Sequence, residues 1–356
     1  MTLAFQVHTS VLGVREYASQ AGASVSPVSE DAAWAEAPTK PHTQTQARGN
    51  GLPCLFAFSP ECNFSGRKYS LNLVETYTSH CTSSTSGGPG KDWYVLLDAA
   101  KHAATNPLDL SRCRADFVAI SFYKMFGVPS GLGALLVSQE GASLLRKRYF
   151  GGGSITAASA TRSFHELRPN VSERFEDGTL PFLSVTQLKY GFHALRSLGM
   201  RSVADHVQCC ARATAERLTA LRHSNGQVVC RLLGRWGAEG EWCEGSVASE
   251  KADSQQGSVV AFNLKRGSGK WIGYAEVGQA AILEGIHLRT GLFCNPGAGE
   301  RYLGIDADTV EANLKRGHVC WDALDLIEGE PTGAVRASFG YMSSMEVDCL
   351  MCSNPS

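Results

Sequence analysis

Several things that would have narrowed the class of this protein at once are missing from its sequence. No apolar run approaches the roughly 20 residues that span a bilayer, so no membrane helix is expected. The opening residues, 1–7, are too short for a secretory leader, and the cytoplasm is the expected compartment. Charge of neither sign dominates. Thirty-three Lys and Arg stand against 34 Asp and Glu, a formal net charge of −1, which removes the long-range pull that nucleic acid or an anionic membrane surface would exert. The 12 cysteines are not laid out as metal-ligand pairs. Cys349 and Cys352 form a CxxC with no second pair, so no metal is expected and the thiols are read as reduced rather than as a disulfide scaffold. Sequons at Asn63 and Asn170 carry little without a secretory route. What is present is 356 residues, 43% of them apolar, enough to bury one large core or two smaller ones.

Polar stretches at 31–51 and 82–91 read as loops, the second containing SSTSGGPGK. Around them, 55–58, 93–98 (WYVLLD), 117–121 (FVAIS) and 133–137 (GALLV) read as buried strands. The stretch 98–116 is long enough for a crossover to a parallel neighbour, and doubly wound α/β sheets place ligands at the carboxyl ends of such strands. Asp98 and Ser121 stand at two such ends. Apolar spacing predicts helices over 187–198, closed by Gly199, and over 202–223, with Thr214 as one polar interruption. A charged loop at 239–256 precedes strands at 258–264, 287–290 and 335–341, interleaved with helices at 274–283 and 308–315. The division this implies is a large domain over 1–185, a smaller C-terminal α/β domain over 186–345 and a tail over 346–356.

One lysine then stands out. The run Ser121-Phe122-Tyr123-Lys124-Met125-Phe126-Gly127 sets Lys124 among apolar residues directly after a buried strand, where a charge is costly. A partly desolvated lysine gives up its proton more readily and can condense with an aldehyde, pyridoxal phosphate being the commonest. That cofactor works best when a carboxylate keeps its pyridine nitrogen protonated, and Asp98 closes the preceding strand. The same residues also suit a lysine snorkelling at a strand end and an aspartate capping a helix. Cys294 lies in RTGLFCNPG, where Asn295, Pro296 and Gly297 mark a loop that leaves its strand sharply. A thiol on such a loop can be presented to a site and withdrawn, as a persulfide carrier requires. Cys209 and Cys210 share an apolar helix face and are expected to be buried and structural.

The chain resembles the class V aminotransferase and cysteine desulfurase family. The runs that carry this are HTSVLGVR from His8, NFSG from Asn63, LLDAA from Leu96, ADFVAISFYKMFGVPSGLGALLV from Ala115, YFGGG from Tyr149, RFEDGTLPFLS from Arg174, IHLRTGLFCNPGA from Ile286 and VRASFGYMS from Val335. Nearly the whole chain is covered. The resemblance implies an α/β fold, that of fold type I, aspartate aminotransferase-like pyridoxal-phosphate transferases, with a large doubly wound sheet domain incomplete at its N-terminus and a smaller C-terminal α/β domain. It assigns Lys124 to the Schiff base and Asp98 to the pyridine nitrogen. His8 would stack on the ring, Ser121 and Tyr123 would contact the phosphate, and Thr179 would reach the phosphate of the other subunit in a homodimer. Asn63 and Arg336 would hold the carboxylate of L-cysteine. Cys294 becomes the nucleophile that takes the sulfur and leaves alanine. Leu292 and Gly299 occupy positions where the nearest branch carries further cysteines, and Lys101 stands where many desulfurases have a glutamine bonding the ring hydroxyl. The longest matching segments point to the branch that passes sulfur to molybdenum cofactor or a molybdoenzyme. A general cysteine desulfurase and an inert fragment that dimerises with an intact enzyme are the alternatives, the second because the phosphate-anchoring turn expected before His8, like a C-terminal domain for molybdenum cofactor, is not in the sequence.

Overall fold

The structure, a computed structural model, describes residues 1–28, 53–79, 93–236, 242–243, 255–320 and 322–344. The expected loops at 31–51 and 82–91, most of that at 239–256, and Cys349 and Cys352 lie outside these residues.

Six strands form the first sheet: β1 (Thr2–Ala4), β2 (Ser26–Val28), β3 (Cys54–Phe58), β4 (Trp93–Asp98), β5 (Phe117–Ser121) and β6 (Gly133–Val137). Their order is β2-β1-β3-β4-β5-β6, parallel throughout except for the β5–β6 pair. Strands β3 and β4 read as unbroken apolar runs because both faces are covered. Phe56, Phe58, Val95 and Leu97 are buried with Leu73, Val74 and Tyr77 of the helix Asn72–Ser79. One expectation needs correction. Strand β6 is not buried: it is the antiparallel edge, and Leu135 is 55% exposed. Strands β1 and β2 left no sequence signal, because three residues are too few to show a period and only pairing with β3 makes them strands.

The order fixes where a ligand can sit. From β1 the chain crosses to β2 on one side, then returns past β1 to β3, β4 and β5 on the other. The winding therefore reverses between β1 and β3, and the crevice outside the carboxyl ends at such a reversal is the usual binding place.

After a hairpin of β7 (Ile155–Ala158) and β8 (His165–Leu167), the helix Phe182–Leu198 runs across the expected domain boundary at 185. Its Phe192 ring packs against Phe122 and Phe126, and Gly191 lies so close to the Phe126 ring that a Cβ there would clash. This helix thus stays with the first sheet, and the chain changes layer at Gly199, whose φ of 80° only glycine adopts freely. The helix Met200–Ala220 then buries Val203, Val207, Cys210 and Leu218 against the second sheet. Thr214, the polar interruption, is satisfied by donating to the Cys210 carbonyl at 3.0 Å. Cys209, one residue off that face, is exposed rather than buried.

The second sheet is antiparallel and contains β9 (Cys230–Leu233), β10 (Trp242–Cys243), β11 (Val259–Lys265), β12 (Trp271–Ile272), β13 (Arg289–Gly291) and, after a small β14 (Leu326–Ile327) and β15 (Glu330–Pro331) hairpin, β16 (Ala334–Ser338). Its order is β10-β9-β11-β16-β13, with β12 paired to β11. A shared core joins the two layers. Cys62, Phe64 and Tyr69, which follow β3, pack with Leu233, Ala261, Phe293, Ala298, Tyr302 and Ala334.

Candidate active site

Because β1, β3, β4 and β5 are parallel, the residues after each of them meet at one edge. His8 follows β1 and caps the helix Thr9–Leu12 in an extended conformation. Its Nδ1 accepts from the Ser10 amide at 3.1 Å, with the Ser10 hydroxyl at 2.9 Å, which leaves the proton on Nε2. Burial lowers the His8 pKa and the Lys124 amine lowers it further, against the Asp98 carboxylate. Asp98 ends β4. Its Oδ1 accepts from the Ala100 amide at 3.1 Å, and Ser59, after β3, donates to Oδ2 at 3.4 Å.

Lys124 sits in the first turn of the helix Phe122–Phe126, which begins where β5 ends. The expectation of an apolar enclosure fails here. Phe122 is buried, but Tyr123 is 48% exposed and Lys124 itself is open to solvent, because a helical turn sends successive side chains in different directions. Only its amine is crowded. Loss of hydration pulls the Lys124 pKa below that of an ordinary lysine; Asp98 works against this, Arg336 and Arg289 reinforce it, and Cys294 opposes it. The same interactions place Asp98, Arg336, Arg289 and Cys294 in electrostatic range of one amine. Among the described residues neither Asp98 nor Lys124 makes an ion pair within 4 Å.

The second sheet delivers Cys294. After β13 the backbone turns left-handed at two consecutive non-glycine residues, Phe293 (φ 54°) and Cys294 (φ 57°). Conformations of this kind persist only where surrounding contacts hold them. Asn295 caps the helix Pro296–Leu303 by accepting from the Ala298 amide at 3.0 Å. Asn63 donates to the Phe293 carbonyl at 2.6 Å and accepts from Asn295 Nδ2 at 2.8 Å. The Thr9 amide donates to the Cys294 carbonyl at 2.8 Å. The loop is therefore pinned by both layers while the Cys294 thiol stays exposed.

Arg336, on β16, donates from one terminal nitrogen to the Asn63 carbonyl at 2.5 Å and from Nε to the Ser338 hydroxyl at 3.1 Å. Its guanidinium lies 4.7 Å from the Phe293 ring centre. Burial, helped by Arg289, pulls its pKa down to about 10, so it remains a cation at neutral pH. Arg289 is paired in register with Arg336 across β13 and β16 and was not singled out from the sequence. The available signal was its place two residues before the glycine that opens the cysteine loop.

The remaining expected residues divide. Asn63 is spent mainly on the loop, which makes it a positioning residue for Cys294 before any contact with a carboxylate. Lys101 turns away from Asp98 to Glu61, 2.9 Å from Nζ, and to Ser258. Ser121 and Thr179 make no side-chain hydrogen bond among the described residues. Tyr123 and Thr179 are exposed. Leu292 and Gly299 face each other: a Cβ on Gly299 would come within 2.8 Å of a Leu292 methyl. The small residue makes room for the large one at the two positions where cysteines were expected.

Residues 89–229 match the aminotransferase class-V family. The chain is 44% identical over 359 residues to molybdenum cofactor sulfurase of Solanum lycopersicum, covering 95% of this chain and 42% of that protein. It is 44% identical over 342 residues to the Homo sapiens molybdenum cofactor sulfurase, covering 95% of this chain and 37% of that protein. The chain thus spans about two-fifths of the length of these curated relatives. Among solved structures, the cysteine desulfurase CsdA of Escherichia coli superposes with a TM-score of 0.68 at 18% identity, covering 99% of this chain and 70% of that one. A cystine C-S lyase in complex with its reaction product cysteine persulfide superposes with a TM-score of 0.62 at 18% identity, covering 99% and 73%. The fold is that of the cysteine desulfurases.

Proposed function

The chain carries an aminotransferase class-V domain and is homologous to the molybdenum cofactor sulfurases over almost its whole length, and from this we propose that it is a pyridoxal-phosphate-dependent sulfurtransferase unit. It takes sulfur from L-cysteine as a persulfide on Cys294, leaves L-alanine, and passes the sulfur to molybdenum cofactor. The observation that carries this reading is the convergence of Lys124, Asp98, Arg336 and Cys294 on one edge at the winding reversal.

The donor set fits the cofactor at its ring end. Asp98 is a carboxylate awaiting a cationic N–H, Lys124 an amine with a lowered proton affinity, and His8 presents an imidazole beside both. Ser121 and Tyr123 would meet the phosphate, with Thr179 contributed across a homodimer. When bound, pyridoxal phosphate supplies an electron sink that makes the substrate α-carbon acidic. The chain supplies the rest. Arg336 takes the substrate carboxylate through a charge-assisted hydrogen bond. Lys124 Nζ accepts the α-proton and later returns a proton to the product. Cys294 Sγ, as thiolate, attacks the substrate sulfur: an S–S bond forms, the substrate C–S bond breaks, and its electron pair stays on carbon, which takes up a proton to become the methyl of alanine. Asn63 and Thr9 hold the loop for that attack.

Among the described residues no helix is long and apolar enough to cross a membrane, and the reducing cytoplasm is the setting that suits a persulfide carrier. The test is purification with pyridoxal phosphate. A visible absorption band should form and be lost in Lys124→Ala. In Cys294→Ala the band should persist while alanine release from L-cysteine falls by at least about a hundredfold. Undiminished alanine release in Cys294→Ala would remove that cysteine from the chemistry.

A further inference from the structure

Strands β3 and β4 pair in parallel with Phe58 opposite Leu97, and beyond that last pair the two segments stay joined through side chains. Ser59 donates to Asp98 Oδ2 at 3.4 Å. Two residues further on, the fully buried Glu61 accepts at Oε1 from Lys101 Nζ at 2.9 Å. The two contacts are successive rungs, with Ala99 and Ala100 as the turn between the carboxylate and the ammonium.

The second rung is anchored on the other layer. Lys101 Nζ also donates to the Ser258 hydroxyl at 2.5 Å, and that oxygen lies 3.2 Å from Thr105 Oγ1. The Ser258 amide donates to Glu61 Oε1 at 3.3 Å, and Asn106 Nδ2 donates to Oε2 at 2.8 Å. Ser258 immediately precedes β11 of the second sheet. The pair has no room to slide toward it, because a Cβ on Gly257 would collide with the Glu61 carboxylate. A buried ion pair is stable only where further hydrogen bonds fill its remaining capacity, and here they do so from both layers.

What this clamp holds is the turn beside Asp98. The Ala100 amide donates to Asp98 Oδ1 at 3.1 Å, and the Ala99 amide donates to the Leu97 and Ala119 carbonyls at 3.1 and 3.0 Å. With Lys101 released, the Ala100 N–H would be free to leave, and Asp98 would keep the longer bond from Ser59. A carboxylate that meets a ring nitrogen has to hold its aim within about 0.5 Å.

We propose that Lys101 is a positioning residue for Asp98. Its ammonium, committed to Glu61 and Ser258, fixes the turn whose amide holds the Asp98 carboxylate, so the seating of the second sheet is transmitted to the cofactor-facing group. The role rests on Asp98 being the partner of the pyridine nitrogen.

Hydrogen exchange of the 98–101 amides, resolved by mass spectrometry, is measured on the chain without cofactor. Lys101→Met should speed exchange at Ala100 by at least about tenfold, with the helix Met200–Ala220 exchanging at the parent rate. Ser258→Ala, which strands no charge, should speed it by about threefold. With pyridoxal phosphate labelled by ¹⁵N in its ring, the nitrogen NMR signal of Lys101→Met should move toward that of the unprotonated ring, a change that general loss of stability does not produce. Parent-rate exchange at Ala100 in Ser258→Ala or in a folded Lys101→Met would overturn the assignment. Equal acceleration in the helix Met200–Ala220, or faster exchange at Ala100 with an unmoved nitrogen signal, would overturn it too. Asp98→Asn tests the underlying reading separately. A nitrogen signal unmoved by that change would remove Asp98 from the ring, while the exchange rates still judge the clamp.

Discussion

At Lys124 the chemistry turns on a balance between lost hydration and neighbouring charge. Burial of the amine and the two arginines favour the neutral form, while Asp98 favours the ammonium. The sign follows directly. Since the folded pKa lies below the ordinary 10.5, the reactive free amine accumulates at lower pH than in an unperturbed lysine. The rate of pyridoxal phosphate capture, followed by stopped-flow absorption, should therefore rise with pH through a midpoint below 10.5. Asp98→Asn should move that midpoint lower still, whatever it does to affinity; a midpoint that rises instead would contradict the arrangement. Lys124, Asp98 and Cys294 drew attention in the sequence because each sits at a strand end or in the turn that follows one, in a setting where its residue type is chemically expressive, while Arg336 was assigned through the family resemblance alone. Arg289 and the loop-holding role of Asn63 were not legible there. Both depend on pairings that local sequence does not display, the first on the β13–β16 register and the second on a contact 230 positions away.

The element that most directly supports Cys294 is the aromatic stack beneath its loop. Phe64 lies with its ring centre 5.1 Å from that of Phe293 and 5.8 Å from that of Tyr302, fully buried in the core shared by the two layers. Phe64→Ala should cost about 3–5 kcal/mol, read as a lowered midpoint in urea, and should depress alanine release through a displaced Cys294 loop. Phe64→Leu should recover most of both. Sequence patterning located β3, β4 and β5 closely, since strands covered on both faces are unbroken apolar runs. It failed for β6, where GALLV has the same composition but lies at the sheet's edge. Composition reports the propensity to extend, and neighbours decide the burial.

Among the described residues, the helix Phe182–Leu198 groups several exposed apolar side chains, with Leu183 69% and Tyr190 68% exposed. Large exposed apolar side chains grouped on one element mark an interaction surface, and a second copy of the chain is the occupant that the proposed homodimer supplies. Sedimentation velocity should show a dimer that Leu183→Glu with Tyr190→Glu converts to monomer; an unchanged sedimentation coefficient would exclude this face. The same helix spans the expected domain boundary at 185. Its apolar spacing says that it packs, but only the Phe122–Phe126–Phe192 cluster says on which layer.

The bonds from Thr9 to Cys294 and from Arg336 to Asn63 tie the two sheets together beside the Cys294 thiol, the second across 273 positions. Displacing either layer would therefore displace the Cys294 loop. On refolding, such distant closures form after the local ones, so turnover should be the final property regained. Under mild denaturant the order is reversed, with activity gone while most of the helix and strand content survives.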